Sequence, residues 1–322
     1  MPIDETLARY SDFAFKTAIV VYALVLVLLI VQYAAAQTKK VVERELVGAG
    51  GPTPDPALPG RVDTPLPTPL GERYGNMGFS VLHVAVLLHI AAIVLRGFAT
   101  HRFPLGNMYE FVTMATGAAM VMGLIFLRDR RYRSMFVFLL LPVLLLMFLA
   151  GTVLYADAAP VVPALKSYWL PVHVTIVSVG SGIFLFSGVC SLLFLYRLHQ
   201  PDGAESANPL GRVARRLPDA QTLDRLAYKT TIIGFPLFSA GIILGAIWAE
   251  AAWGRPWGWD PKETCSFIAW VLYAAYLHAR ATSGWRDTKA AWINVAGFVA
   301  MLFNLFIINI VVSGLHSYAG LN

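Results

Sequence analysis

The sequence predicts an all-α integral membrane protein, a bundle of eight transmembrane helices with both termini outside. Three observations carry this. First, 57% of the 322 residues are hydrophobic and only 14% are charged, with a mean hydropathy of +0.62. Soluble domains carry about 25% charged residues. Second, eight stretches are apolar over roughly the 20 residues that a bilayer helix needs. They are 13–35, 78–98, 108–127, 135–153, 171–195, 230–249, 264–280 and 292–312. Third, the cations segregate. Alternate loops fall on alternate sides, and one side collects 18 Lys and Arg against 7 on the other. The richer side is expected in the cytoplasm.

Taken in order, residues 1–36 hold the first transmembrane helix. It lacks the small-residue cleavage site of a signal peptide and is longer than such a core. Residues 37–77 read as a Pro/Gly-rich cytoplasmic linker. Seven prolines between positions 52 and 69 cannot sit in a packed core. Residues 78–322 form the main membrane domain. Pro142 and Pro236 fall inside its spans, which membrane helices tolerate when neighbours re-satisfy the backbone. The basic segment 198–228 is expected along the anionic inner surface, and 251–263 and 313–322 outside.

The charges also exclude functions. The net charge of +6 lies in short loops between apolar runs, which is a membrane pattern and leaves no basic face for nucleic acid. Only Lys16, Arg96, Glu110 and Arg280 fall inside spans. All lie near span ends, where long side chains snorkel. Pumps and ion-coupled transporters carry ionisable groups at mid-membrane depth. Cys190 and Cys265 form no Cys-x-x-Cys pair. That removes a thioredoxin-type motif, a zinc finger and a haem-attachment site on this chain.

The most specific stretch is 251–263, an external loop. It contains Trp253-Gly254-Arg255-Pro256-Trp257-Gly258-Trp259-Asp260-Pro261-Lys262-Glu263. One reading is an aromatic belt at the membrane interface. The other is a stacking surface: indoles on a backbone that glycine lets bend sharply can face a large planar ligand. Asp260, Pro261 and Glu263 also spell a capping-box start for the next helix. Either role is compatible with a rigid loop.

His173 opens the fifth span and His316 follows the eighth, so topology puts both in the layer of the tryptophan loop. Two imidazoles can hold a haem iron from both faces. Each alone also reads as a hydrogen-bonded boundary residue. His101 lies outside as well and is a decoy. His278 sits near the inner end of the seventh span, where snorkelling is the ordinary role. His83 lies at a similar depth, and His89 lies deeper. Packing between helices is the common fate of both.

These residues resemble a known family. The run from Trp253 to Thr264 is similar to the tryptophan-rich signature of haem-handling proteins such as CcmC, CcmF and the CcsA/ResC type. Pro171-Val172-His173-Val174, Tyr276-Leu277-His278-Ala279-Arg280 and Ser313-Gly314-Leu315-His316-Ser317-Tyr318 resemble the histidine motifs of the CcsA/ResC-type System II cytochrome c biogenesis proteins. The segment from His101 to Glu110 resembles a further family segment. The resemblance covers roughly residues 78–320 and implies a haem-handling membrane domain. It implies that haem b crosses from an inner site at His278 to the outer loop. There His173 and His316 hold it while apocytochrome c thiols react. A CcsB/ResB-type partner is implied, as is a role as the haem-presenting part of a cytochrome c synthetase (haem lyase) complex in the cell membrane. In fused relatives a further membrane histidine lies in that partner part, so the resemblance carries no fourth ligand onto His83 or His89, and the choice between the partner and these two stays open. Arg255, with Lys262, is the loop's candidate for the haem carboxylates. Trp253, Gly254, Trp257, Trp259 and Asp260 complete the candidate site.

Two other functions compete. A bis-histidine membrane cytochrome in electron transfer requires two facing pairs of helical histidines. A small-molecule permease leaves the tryptophan loop unexplained.

Overall fold

The computed structural model describes residues 3–48, 70–161 and 166–312, with side chains omitted at 33–48 and 70. Nine α-helices are described: α1 Glu5–Gly48, α2 Leu70–Thr100, α3 Met108–Phe126, α4 Phe136–Thr152, α5 Trp169–His199, α6 Pro209–Ala214, α7 Ala220–Trp253, α8 Pro261–Ala281 and α9 Thr288–Phe303. A 3-10 turn, Arg130–Met135, leads into α4, and a π turn, Asn304–Ile308, follows α9. Among the described residues there is no strand. The linker expected at 37–77 is helical over 37–48 and again from Leu70, and residues 49–69 lie outside the described part.

Seven helical stretches among the described residues are long and apolar enough to cross a membrane. They correspond to seven of the eight expected spans. The remaining one, 264–280, is α8. It has 21 residues, the length of a span, but Lys262, Glu263, His278 and Arg280 dilute its hydropathy. Of the eight expected spans, seven are thus apolar helices among the described residues, and the eighth is a full-length helix of mixed polarity. The expectation for the two termini rests on residues 1–2 and 313–322, which lie outside the described residues.

The helices pack as a continuous series. α1 lies on α2 and α4, α3 joins α2 and α4 to α5, and α5 packs on α7 and α9. α8 closes the series against α7 and α9. α5 is the most enclosed helix, with Phe184, Phe186 and Cys190 buried among its neighbours. Small residues let it sit close. A Cβ on Gly182 would overlap the Ala115 carbonyl of α3, the kind of approach by which membrane helices associate. In the same core Asn294 of α9 donates to Ser187 and Ser191 of α5 at 2.9 and 2.7 Å, and Ser187 meets Thr231 of α7 at 2.7 Å.

At one end of the bundle the charged residues do not snorkel, which corrects the sequence reading. Arg96 and Glu110 are each only 2% exposed and bond to each other at 3.1 Å. Glu110 also accepts from Arg102 at 2.8 Å and from the Gly106 N–H at 2.6 Å. Asn107 caps α3 by accepting from the Glu110 N–H at 2.9 Å. Burial of a carboxylate is tolerable because its oxygens are taken up by two guanidinium groups and a backbone donor. This network ties α2 to the turn before α3 and fixes where α3 begins. At the opposite end Arg280 pairs with Asp224 at 2.7 Å, joining α8 to α7.

Candidate functional site

A cleft opens at the end of the bundle that carries the Glu110 network. Its walls are the first turns of α3, α5 and α8, the last turns of α7, and the π turn after α9. The lining is mostly apolar and aromatic, the composition of a small-molecule site. π turns inside helices recur at functional sites, and Asn304 and Leu305 of this one face the cleft.

His173, in the second turn of α5, lines the cleft. Its Nδ1 lies 2.7 Å from the Gly241 carbonyl of α7. A carbonyl only accepts, so Nδ1 carries a proton, and in the neutral ring the lone pair is on Nε2. That is the arrangement in which a second partner orients an imidazole for a metal. The ring lies parallel to Trp248, with centroids 6.2 Å apart and planes 11° apart. Trp248 in turn meets Trp253 edge-on at 4.8 Å. Gly245 of the same helix makes room, since a Cβ there would come within 2.7 Å of the imidazole. One helix, α7, thus meets the ring through Gly241, Gly245 and Trp248.

The tryptophan loop is rigid for local reasons. Gly254 ends α7 in the left-handed region at φ 71° and donates to the Glu250 carbonyl at 2.9 Å, the usual glycine cap. The expected capping box is present. Asp260 accepts from the Lys262 N–H at 3.0 Å, and Glu263 accepts from the N–H groups of Asp260 and Gly258 at 3.1 and 2.9 Å. Trp253 and Trp257 line the cleft. Trp259 does not. It is 66% exposed and turns its ring against Phe267, 6.3 Å away, as well as Trp257. Its φ of 57° is uncommon for a bulky residue and marks a forced turn. Arg255 folds back over Gly258, where a Cβ would overlap its guanidinium, and it lines no part of the cleft. Asp260 is buried at the start of α8.

One cleft residue escaped the sequence reading. Trp248 looked like an ordinary span residue. The available signal was its position five residues before Trp253. Of the two candidate loop cations, Arg255 and Lys262, it is Lys262 that reaches the cleft. It donates to Asn309 Oδ1, just past the π turn, at 2.5 Å. Burial pushes its pKa down to about 8, against an opposing pull from Asp260.

The other histidines separate by environment. His89 is fully buried, with Tyr22 and the Thr113 carbonyl on its two ring nitrogens at 3.3 and 2.9 Å. It is a satisfied packing residue. His83 bonds to the Phe79 carbonyl at 2.8 Å on α2, a helix that packs on α1 and α3 rather than α8. His278 is exposed on α8, at the end opposite the cleft. His101 is exposed in the turn after α2. His316 lies outside the described residues. Among the described residues no group of three or more His, Cys, Asp or Glu is placed to hold a metal ion, and Cys190 and Cys265 are free and buried.

The fold and the cleft define a class: a polytopic helical membrane protein with an imidazole and indole site at one end of its bundle. Comparison with known proteins identifies the family. The model of the cytochrome c assembly protein family matches residues 105–316, which contain every wall of the cleft. The chain belongs to that family. It is 34% identical over 270 residues to the cytochrome c biogenesis protein CcsA of Mesostigma viride, covering 77% of this chain and 86% of that one. It is 32% identical over 296 residues to CcsA of Gloeobacter violaceus, covering 77% and 87%. Its fold is similar to that of the cytochrome c haem lyase CcmF, with a TM-score of 0.62 at 18% identity over 95% of this chain. This chain spans 47% of that solved chain. Seven apolar helices and membership in this family make it a multi-pass membrane protein of cytochrome c biogenesis.

Proposed function

We propose that the chain takes haem b to the cleft and presents it to apocytochrome c, as the haem-presenting part of a cytochrome c synthetase complex with a CcsB/ResB-type partner. The observation that carries this is His173. Its proton is committed to the Gly241 carbonyl, its ring is stacked on Trp248, and it stands in the wall of a cleft with Trp253 and Trp257. A neutral imidazole backed in this way is an iron ligand, and the flat aromatic walls suit a planar macrocycle. CcsA relatives and the CcmF fold support the cytochrome c context.

His316 is the proposed second axial ligand. It closes the stretch matched by the family model. Ligation by two imidazoles would keep oxygen and peroxide off the iron, as a carrier requires. The cleft end is proposed to face outward from the cell membrane, as the cation asymmetry implies. Trp259, Gly254, Asp260 and Arg255 shape and hold the loop rather than wall the cleft. His278, exposed on α8, is the proposed inner-leaflet ligand, opposite a histidine of the partner.

The test is an optical spectrum of the purified complex. His173→Gly is expected to lose the bis-imidazole bands, added imidazole to restore them, and His101→Gly to leave them unchanged. Bands lost in His101→Gly but kept in His173→Gly would overturn the assignment.

A further inference from the structure

The cleft holds a cation whose carboxylate neighbours are otherwise committed. Lys262 and Glu263 are consecutive, and both line the cleft. Glu263 is taken up by the backbone N–H groups of Gly258 and Asp260 at 2.9 and 3.1 Å. Asp260 Oδ1 accepts from the Lys262 N–H at the head of α8. The ammonium of Lys262 makes no carboxylate pair within 4.0 Å among the described residues. Its partner is the neutral side-chain amide of Asn309. A neutral amide oxygen meets one of three ammonium donors and cancels no charge. An ammonium in a mostly apolar cleft with no salt bridge is costly. An anion carried into the cleft removes that cost.

We infer that Lys262 is the anchor for a carboxylate on the cleft's ligand, which must therefore be a large apolar molecule bearing an acid group. The inference rests on the haem reading, under which the carboxylate is a haem propionate. It also narrows the candidate pair to Lys262, since the Arg255 guanidinium covers Gly258 outside the cleft. Asn309 also donates to the Asn304 and Leu305 carbonyls at 3.2 and 2.6 Å. The cation is thus held beside the π turn that follows α9.

The experiment compares haem with haem dimethyl ester, in which both carboxylates are blocked, on the purified full chain with its partner. Wild type is expected to bind haem about tenfold more tightly than the ester, as a lost charge-assisted hydrogen bond implies. Lys262→Met is expected to bind the two equally, with unaltered axial bands. Lys262→Arg is expected to keep the preference, and Arg255→Met to resemble wild type. An undiminished preference in Lys262→Met would overturn the inference while leaving the haem reading intact. A Lys262→Met protein that binds neither form would overturn it too, because the lysine would then only hold α8 to the π turn. Wild type that binds neither form would sink the haem reading and this inference together.

Discussion

The imidazole of His173 owes its placement to two glycines that carry no chemistry of their own. Gly241 offers a carbonyl at 2.7 Å, and Gly245 leaves the space that the ring fills. Gly245→Ala is expected to push the ring off its seat, because the new Cβ would lie about 2.7 Å from it. Overpacking of this kind costs about 1–3 kcal/mol. The expected outcome is a protein that accumulates normally but loses haem occupancy, read by its absorption spectrum against total protein. Lys262 makes a pH prediction. Its folded pKa of about 8 lies below the ordinary 10.5, so folding disfavours its charged form. Between about pH 8 and 10.5 the unfolded chain binds more protons than the folded one, and stability rises with pH across that window. Lys262→Met is expected to flatten that rise in thermal unfolding of the solubilised protein.

At the scale of elements, helix ends position the site. The Asp260–Glu263 box was legible in the sequence because it is local: a cap, a proline and a glutamate at set spacing. Removing the cap with Asp260→Ala is expected to cost about 1 kcal/mol, seen as a lower unfolding midpoint. The Glu110 network was not legible, because Arg96 meets the Arg102–Glu110 segment only through the packing of α2 against α3, and a sequence shows only that each is near a boundary. Breaking a buried pair costs about 3–5 kcal/mol, so Glu110→Ala is expected to reduce accumulation severely. Arg131→Ala removes an exposed pair with Asp129 and is expected to stay within about 0.5 kcal/mol of wild type. Accumulation in membranes and unfolding midpoints check both.

At the scale of the whole molecule, the loops fall at two ends. The turn at 101–107, the segment before α5 and the tryptophan loop share the cleft end, while α6 and the Arg280–Asp224 pair share the other. Labelling of a single cysteine at position 257 in whole cells is expected to proceed from outside, and one at position 212 only after lysis. The reverse pattern would invert the proposed orientation.

The helical spans, their order and the family were determined by the sequence alone. Hydropathy acts on each segment separately, and the Trp253–Glu263 motif is contiguous. Even the seven apolar helices came from that one-dimensional signal, and α8 departed from it because its charges sit at its two ends. The cleft was decided only by the tertiary structure. His173, Trp248, Trp257 and Lys262 come from three helices and a loop, and their meeting depends on which face each helix turns inward. Apolar residues surround such helices on all sides, so the hydrophobic period that reveals a facing in soluble proteins is absent. Trp259, an equal of Trp257 in the motif, stays outside the cleft for a different reason, the loop backbone's turn at its φ of 57°, which a contiguous motif does not reveal.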